Sequence, residues 1–256
     1  MDVLIEKIPI GFTGVDPSGA LTLFSIFDYF QKAAIRHAEE LGVGRVKMAQ
    51  QNQVWILSRM TVLVERRPLL DEELTLHTWP CGFEKLFAVR DYVFSAAGKR
   101  IVRSRSFWLL VDIEKRRPLR PQELAIQLPC IEDNAFAESP RALVSHNDLA
   151  FVGERTANYS DIDFNAHVNN ARYIQWIQDF VDADKLMNAG KLRLDINYLS
   201  EIKIAETISF LMAVLSGESP SDNIVWPLLY ALEGRKRSDG QAAFRAELRM
   251  TNKDPV

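Results

Sequence analysis

Cysteine is almost missing from this chain: 256 residues hold two, Cys81 and Cys130. Two thiols make neither a disulfide framework nor the spacing of a zinc site, and they suit a reducing, cytoplasmic compartment. Long apolar runs are missing as well. No stretch approaches the about 18 residues a membrane helix needs, so no membrane span is expected. The start, Met1-Asp2-Val3-Leu4-Ile5-Glu6-Lys7, carries acids early and does not read as a signal peptide. There is no G-x-S-x-G elbow, no Walker loop and no G-x-G-x-x-G, which removes three common nucleophile and nucleotide chemistries. His37, His77 and His146 are scattered without ligand spacing, so neither a metal nor a cofactor is expected. An excess of positive charge is lacking too: the net charge is −3, which disfavours a nucleic-acid partner.

What the chain does have is local basic clusters, including Arg116–Arg117 and Arg235–Lys236–Arg237. On a mildly acidic protein such patches can steer an acidic partner, although any single cluster also reads as a solvated turn.

The same plan occurs twice. A strand-like stretch, Val3 to Phe12, leads through Gly14-Val15-Asp16-Pro17-Ser18-Gly19 into an amphipathic helix over 21–41. Leu23, Phe27, Phe30, Ala34, Ala38 and Leu41 recur every three or four residues and form one stripe, and Gly42 is a natural stop. Alternating stretches over 53–65, 73–79, 86–94 and 101–113 read as an antiparallel meander, with Val54, Ile56, Met60, Val62 and Val64 sharing a face. The second copy has a strand over 149–159, a helix over 167–187 stopped by Gly190, and strands over 192–198, 204–215, 224–232 and 242–250. Asp16 aligns with Asp163 and Gly42 with Gly190. Pro118, Pro121, Pro129 and Pro140 mark the join, since proline suits neither a central strand nor a helix interior. The expected division is 1–114, a linker over 115–145, and 146–256. Two long helices, each wrapped by a curved antiparallel sheet, make an α+β double hotdog, whose sheets can join edge to edge.

The densest polar run is Asp161-Ile162-Asp163-Phe164-Asn165-Ala166-His167-Val168-Asn169-Asn170. Asp and Asn are ordinary turn and cap residues, so one or two of them need no function. The alternation Asp163-x-Asn165-x-His167 is less ordinary. In an extended segment these side chains share a side, just ahead of a helix N-terminus whose N–H groups can hold a carbonyl oxygen turning into an oxyanion.

This run resembles the acyl-acyl carrier protein thioesterase family, whose signature D-x-D-x-N-x-H-V-N-N-x-x-Y-x-x-W is matched at every fixed position from Asp161 to Trp176. His37-Ala38-Glu39-Glu40-Leu41-Gly42, Trp55-Ile56-Leu57-Ser58-Arg59-Met60, Arg90-Asp91-Tyr92 and Ser106-Phe107-Trp108-Leu109-Leu110 are similar to that family too. The resemblance implies hydrolysis of acyl-acyl carrier protein in fatty acid biosynthesis. It places catalytic roles on Asp163, Asn165, His167 and the downstream Glu201. The family often has a cysteine directly after that glutamate; here Ile202 stands there, so no thiol is required.

Asp163 is expected to attack or to activate water, and His167 with Glu201 to move protons. A His167–Glu201 base oriented by Asp163 fits equally. Asn169 and Asn170 can build the helix start and touch substrate. Ser18 and Ala20 stand where the second copy has Asn165 and His167, so one site per chain is expected, with Phe24, Phe27 and Trp55 as candidate acyl-pocket walls or core residues. Arg116, Arg117, Lys236 and Arg237 are candidates for docking the acidic carrier. The remaining readings are an acyl-coenzyme A thioesterase, a non-catalytic acyl-binding module, and a dehydratase, which the single-segment layout disfavours. Either a monomer with an internal pseudo-dimer or a homodimer fits.

Overall fold

The computed structural model describes residues 2–120, 128–131, 133–136, 138–215 and 224–253. The linker residue Pro121 lies outside them. The first copy comprises β1 (Leu4–Pro9), α1 (Leu23–Glu40), α2 (Arg45–Gln50), β2 (Gln53–Val64), β3 (Glu73–Glu84), β4 (Phe87–Ala96), β5 (Lys99–Asp112) and the short β6 (Arg117–Pro118). The second comprises β7 (Ala150–Thr156), α3 (Asn170–Phe180), α4 (Ala183–Met187), β8 (Ala189–Tyr198), β9 (Thr207–Leu215), β10 (Leu228–Lys236) and β11 (Ala242–Asn252). The described strands form one sheet in the order β1-β3-β4-β5-β2-β8-β11-β10-β9-β7, with β6 on β5. Read from its two ends, the sheet repeats one order, so the copies are related by a pseudo-twofold at its centre. There β2 and β8 pair antiparallel, from Arg59 opposite Asn197 to Val64 opposite Leu192. This is the double hotdog, with both inner edges closed by each other.

Helix α1 follows its stripe: Leu23, Phe27, Phe30 and Ala34 are buried, and the Thr22 hydroxyl caps the start by accepting from Ser25 N at 3.1 Å. It packs beside α3, with the Phe24 N–H donating to Gln178 Oε1 at 2.6 Å. No helix among the described residues is long and apolar enough to cross a membrane.

Three expectations need correction. The second helix does not run from 167 to 187. It starts at Asn170 and breaks after Phe180, because Asp182 caps a new helix by accepting from Lys185 N at 3.1 Å. Gly190 therefore stops no helix. It lies in β8, where a Cβ would sit 2.4 Å from the Asn252 carbonyl oxygen. The even residues of β2 do not all share a face either. The register shifts between Leu57 and Arg59, so Leu57 joins Met60, Val62 and Val64 in the core, while Val54 and Ile56 are only half-buried. Finally β10 begins at Leu228, after Pro227, which cannot donate to a ladder; Trp226 instead packs against Leu63 and Phe136.

Described residues of the linker lie against the outer face of the sheet. Asp91 takes a bidentate pair from Arg105, at 2.7 and 2.8 Å, and the Ala135 N–H at 2.8 Å. Asn197 holds Leu143 N at 2.7 Å and the Arg141 carbonyl at 3.0 Å. Thr61 crosses the seam to Asp195 at 2.7 Å, and Asp195 also meets Arg193 and Arg249. These buried charges are paired as their desolvation requires.

Candidate active site

The motif folds as a tight turn, not as an extended strand. Ile162 and Val168 form an isolated bridge, and inside it Asp163 N donates to the His167 carbonyl at 2.8 Å. Ala166 N donates back to the Asp163 carbonyl at 3.1 Å, with Ala166 at φ 62°. Asp163 Oδ1 accepts the Asn165 N–H at 2.8 Å, so one carboxylate oxygen is spent on the turn. Upstream, the buried Asp161 carboxylate accepts from Asn158 N at 2.9 Å, and its carbonyl takes the Asn169 N–H at 2.9 Å. Asp163 and His167 are both half-buried, while Asn165 is exposed and Phe164 lies open to solvent.

The same turn exists in the first copy. Asp16 N donates to the Ala20 carbonyl at 2.9 Å, Gly19 N to the Asp16 carbonyl at 2.8 Å, and Asp16 Oδ1 accepts from Ser18 N at 2.9 Å. Gly19, at φ 76°, matches Ala166, and Ala20 matches His167. The segment packed behind each turn also corresponds. Leu21 N donates to the Pro68 carbonyl at 2.7 Å, and Val168 N donates to the Ile202 carbonyl at 2.8 Å. Arg67 and Glu201 therefore occupy equivalent positions. In the first copy Arg67 forms a buried ion pair with Asp16 and reaches the Met187 carbonyl at 2.7 Å. Burial pushes the Asp16 carboxyl up, but hydrogen bonds from Ser18 and Arg67, with the Arg67 charge, hold it below its ordinary value. In the second copy Glu201 Oε2 lies 3.0 Å from His167 Nε2. One scaffold thus carries a salt link in one half and an imidazole–carboxylate pair in the other.

Helix α3 begins under this pair. Three N–H groups near its start are already used: Val168 by Ile202, Asn169 by Asp161, and Ala171 by the Asn169 side chain at 2.9 Å. Asn169 is thus the cap. The Asn170 N–H has no acceptor among the described residues, and the Asn170 carbonyl accepts from the Tyr198 hydroxyl at 3.1 Å. Asn170 lines a small apolar cavity with Phe27, Gln31, Leu57, Met60 and Trp108. The sequence reading missed all of these except Phe27 and Asn170. The signal for Leu57 was hidden by the bulge, and the others sit on strands or a helix that close only in the fold.

The other candidates scatter. Phe24 is half-buried under the Arg172 guanidinium, 5.0 Å from its ring centre. Trp55 donates to the Val43 carbonyl at 2.9 Å and packs in a separate cluster with Val43, Met48, Leu110 and Leu119, apart from the cavity. Lys236 is mostly buried and meets Glu206 at 3.4 Å; Arg237 meets Glu154 at 3.1 Å. Arg116 and Arg117 are exposed at the turn into β6. A basic residue the sequence reading passed over, Arg45 at the start of α2, lies 4.5 Å above the exposed Phe164 ring.

Known proteins resemble this arrangement. The family model described as the acyl-ACP thioesterase N-terminal domain matches residues 2–126, and that of the C-terminal domain matches 146–250. A chloroplastic dodecanoyl-[acyl-carrier-protein] hydrolase of Cinnamomum camphora is 25% identical, over 86% of this chain and 61% of its own length. A chloroplastic palmitoyl-acyl carrier protein thioesterase of Gossypium hirsutum is 26% identical, over 83% of this chain and 54% of its own. The chain thus spans little more than half the length of these relatives. Among solved structures, an acyl-ACP thioesterase from Bacteroides thetaiotaomicron superposes with a TM-score of 0.82 at 24% identity, over 98% of both chains. A 12:0-ACP thioesterase from Umbellularia californica gives 0.79 at 20%, again over 98% of both. At these identities the structures establish the shared double hotdog fold.

Proposed function

The chain belongs to the acyl-acyl carrier protein thioesterase family, and from that premise we propose that it hydrolyses acyl-acyl carrier protein to a free fatty acid in the cytoplasm, with His167 as the base. The observation that carries this reading is the 3.0 Å contact between His167 Nε2 and Glu201 Oε2, on the turn that leads into Asn170, a residue lining the apolar cavity at the start of α3. Glu201 fixes the proton on Nε2, which leaves the Nδ1 lone pair to take a proton from water. That water attacks the thioester carbonyl. The oxygen that becomes negative is met by the Asn170 N–H and the helix end behind it. The imidazolium then returns its proton to the departing thiolate, itself a good leaving group.

Asp163 orients the turn in this mechanism. Its Oδ1 bond to Asn165 N repeats the bond Asp16 makes in a half without an imidazole, which supports a positioning role over direct attack. Asn165, exposed beside it, contacts the incoming thioester. Residues 146–256 supply the chemistry and 1–114 one wall of the acyl pocket, through Phe27, Leu57, Met60 and Trp108, around a cavity of about 10 Å³ that must widen to take an acyl chain. The acidic carrier docks through Arg116 and Arg117; Lys236 and Arg237 are less suited because both already meet glutamates.

The test is hydrolysis of carrier-bound and coenzyme A thioesters from butyryl to stearoyl. Release of free acid should fall about 10²–10⁴-fold in His167→Ala. Charge reversal at Arg116 and Arg117 should lower kcat/KM on the carrier substrate far more than on the coenzyme A substrate. Ligand binding without turnover in the parent, or unchanged turnover in His167→Ala, would refute the hydrolase reading.

A further inference from the structure

The chain's only two cysteines, 49 positions apart in sequence, face each other across an isolated antiparallel bridge. Cys81 lies in β3 and Cys130 in the linker that crosses the sheet's outer face. Both are free thiols; Cys130 is exposed and Cys81 half-buried. Partners in an antiparallel bridge carry their side chains on the same face of the ladder, with Cα atoms about 4.5–5.5 Å apart, inside the range that a disulfide spans without backbone movement. Cys130 Sγ already lies against this turn of β3, 3.4 Å from where a Cβ on Gly82 would be. The linker around it is held: Asp133 pairs with Arg100 at 2.6 Å, Asn134 accepts from Arg105 at 2.8 Å, and Ala135 N donates to Asp91. The two thiols are therefore kept in register by contacts that do not involve them.

We propose that Cys81 and Cys130 form a reversible disulfide, by exchange with a low-molecular-weight disulfide such as oxidised glutathione, that fastens the linker to β3. The Cys130 thiolate attacks one glutathione sulfur; the glutathione disulfide breaks, and the first glutathione leaves as a thiolate that takes up a proton. Cys81 loses its proton to solvent, its thiolate attacks Cys130 Sγ, and the second glutathione leaves. Two protein thiols are oxidised and one glutathione disulfide is reduced to two thiols. The order follows from access, since Cys130 meets solvent first. Burial, with the Asp91 carboxylate nearby, pushes the Cys81 thiol up to about 12, so closure is the slow step and quickens with rising pH.

The experiment treats the full chain with oxidised glutathione under native conditions and reads intact mass, free thiols and cross-linked peptides at the end point. The parent should lose both thiols, become two hydrogens lighter, and yield a peptide joining residues 81 and 130 that dithiothreitol releases. Cys81→Ala should stop with one glutathione on Cys130, and Cys130→Ala should take up none while folded. A parent that ends with glutathione on Cys130 and a free Cys81, or that keeps both thiols, would overturn the proposal. Neither cysteine belongs to the hydrolytic site, so this outcome is independent of the activity assays above.

Discussion

His167 and Glu201 meet where their two segments are joined by a backbone bond, Val168 N to the Ile202 carbonyl. Glu201→Gln keeps the shape but replaces the carboxylate that meets His167 Nε2 with an amide. It should lower kcat with little change in KM, and by less than His167→Ala; steady-state kinetics on one carrier substrate decides this. The matching position in the first copy offers a stability test. Asp16 is held below its ordinary 3.8 despite its burial. A carboxyl depressed in the folded state stabilises fully above its unfolded value and loses that contribution as pH falls through the folded one. The gap in melting temperature between the parent and Asp16→Asn should therefore be widest near neutrality and narrow below about pH 3.9. Asp163, Asn165 and His167 stand out in the sequence because polar residues in that density are rare beside an apolar stripe. Their directions were not legible, because the positive φ at Ala166 turns the backbone where a non-glycine residue gives no warning. The counterpart of Glu201 was equally hidden: arginine and glutamate share no pattern, and only the hydrogen bonds reveal that they stand in one place.

At the level of elements, α1 was readable to within two residues, since its stripe and its stop agree. The second helix was not. Its apolar residues continue past Phe180, yet Asp182 supplies a new cap and breaks it. Asn169 is the other decisive residue, because it fixes where α3 starts and leaves the Asn170 N–H unused. Asn169→Ala should cost about 1 kcal/mol of stability. It should also lower kcat by loosening the oxyanion donor, a combination that urea unfolding beside the hydrolysis assay can separate from a plain loss of fold. The strand β2 shows a different limit. Period two was read correctly on each side of Ser58, but a single inserted residue exchanges the faces, and no residue type announces it.

Across the whole molecule, the repeat and its edge-to-edge join were visible in the order of elements, whereas the linker's path over the outer face was not. Its prolines explain where regular structure stops but not which charges it covers. The β2–β8 seam and the linker tie both halves together, so they should unfold as one unit. Asp195→Ala would leave Arg249 without one of its buried carboxylates, at a cost of about 3 kcal/mol. The urea midpoint should shift equally by circular dichroism and by tryptophan fluorescence, since tryptophans lie in both halves, at 55, 79, 108, 176 and 226. An assembly of two identical chains would have to repeat every substitution on both sides of its axis. Here the axis runs inside one polypeptide, so residues 67 and 201 are free to carry opposite charges. The half with the guanidinium can hold its turn by a buried salt link, and the half with the carboxylate can set an imidazole at the same place, without either compromising the other.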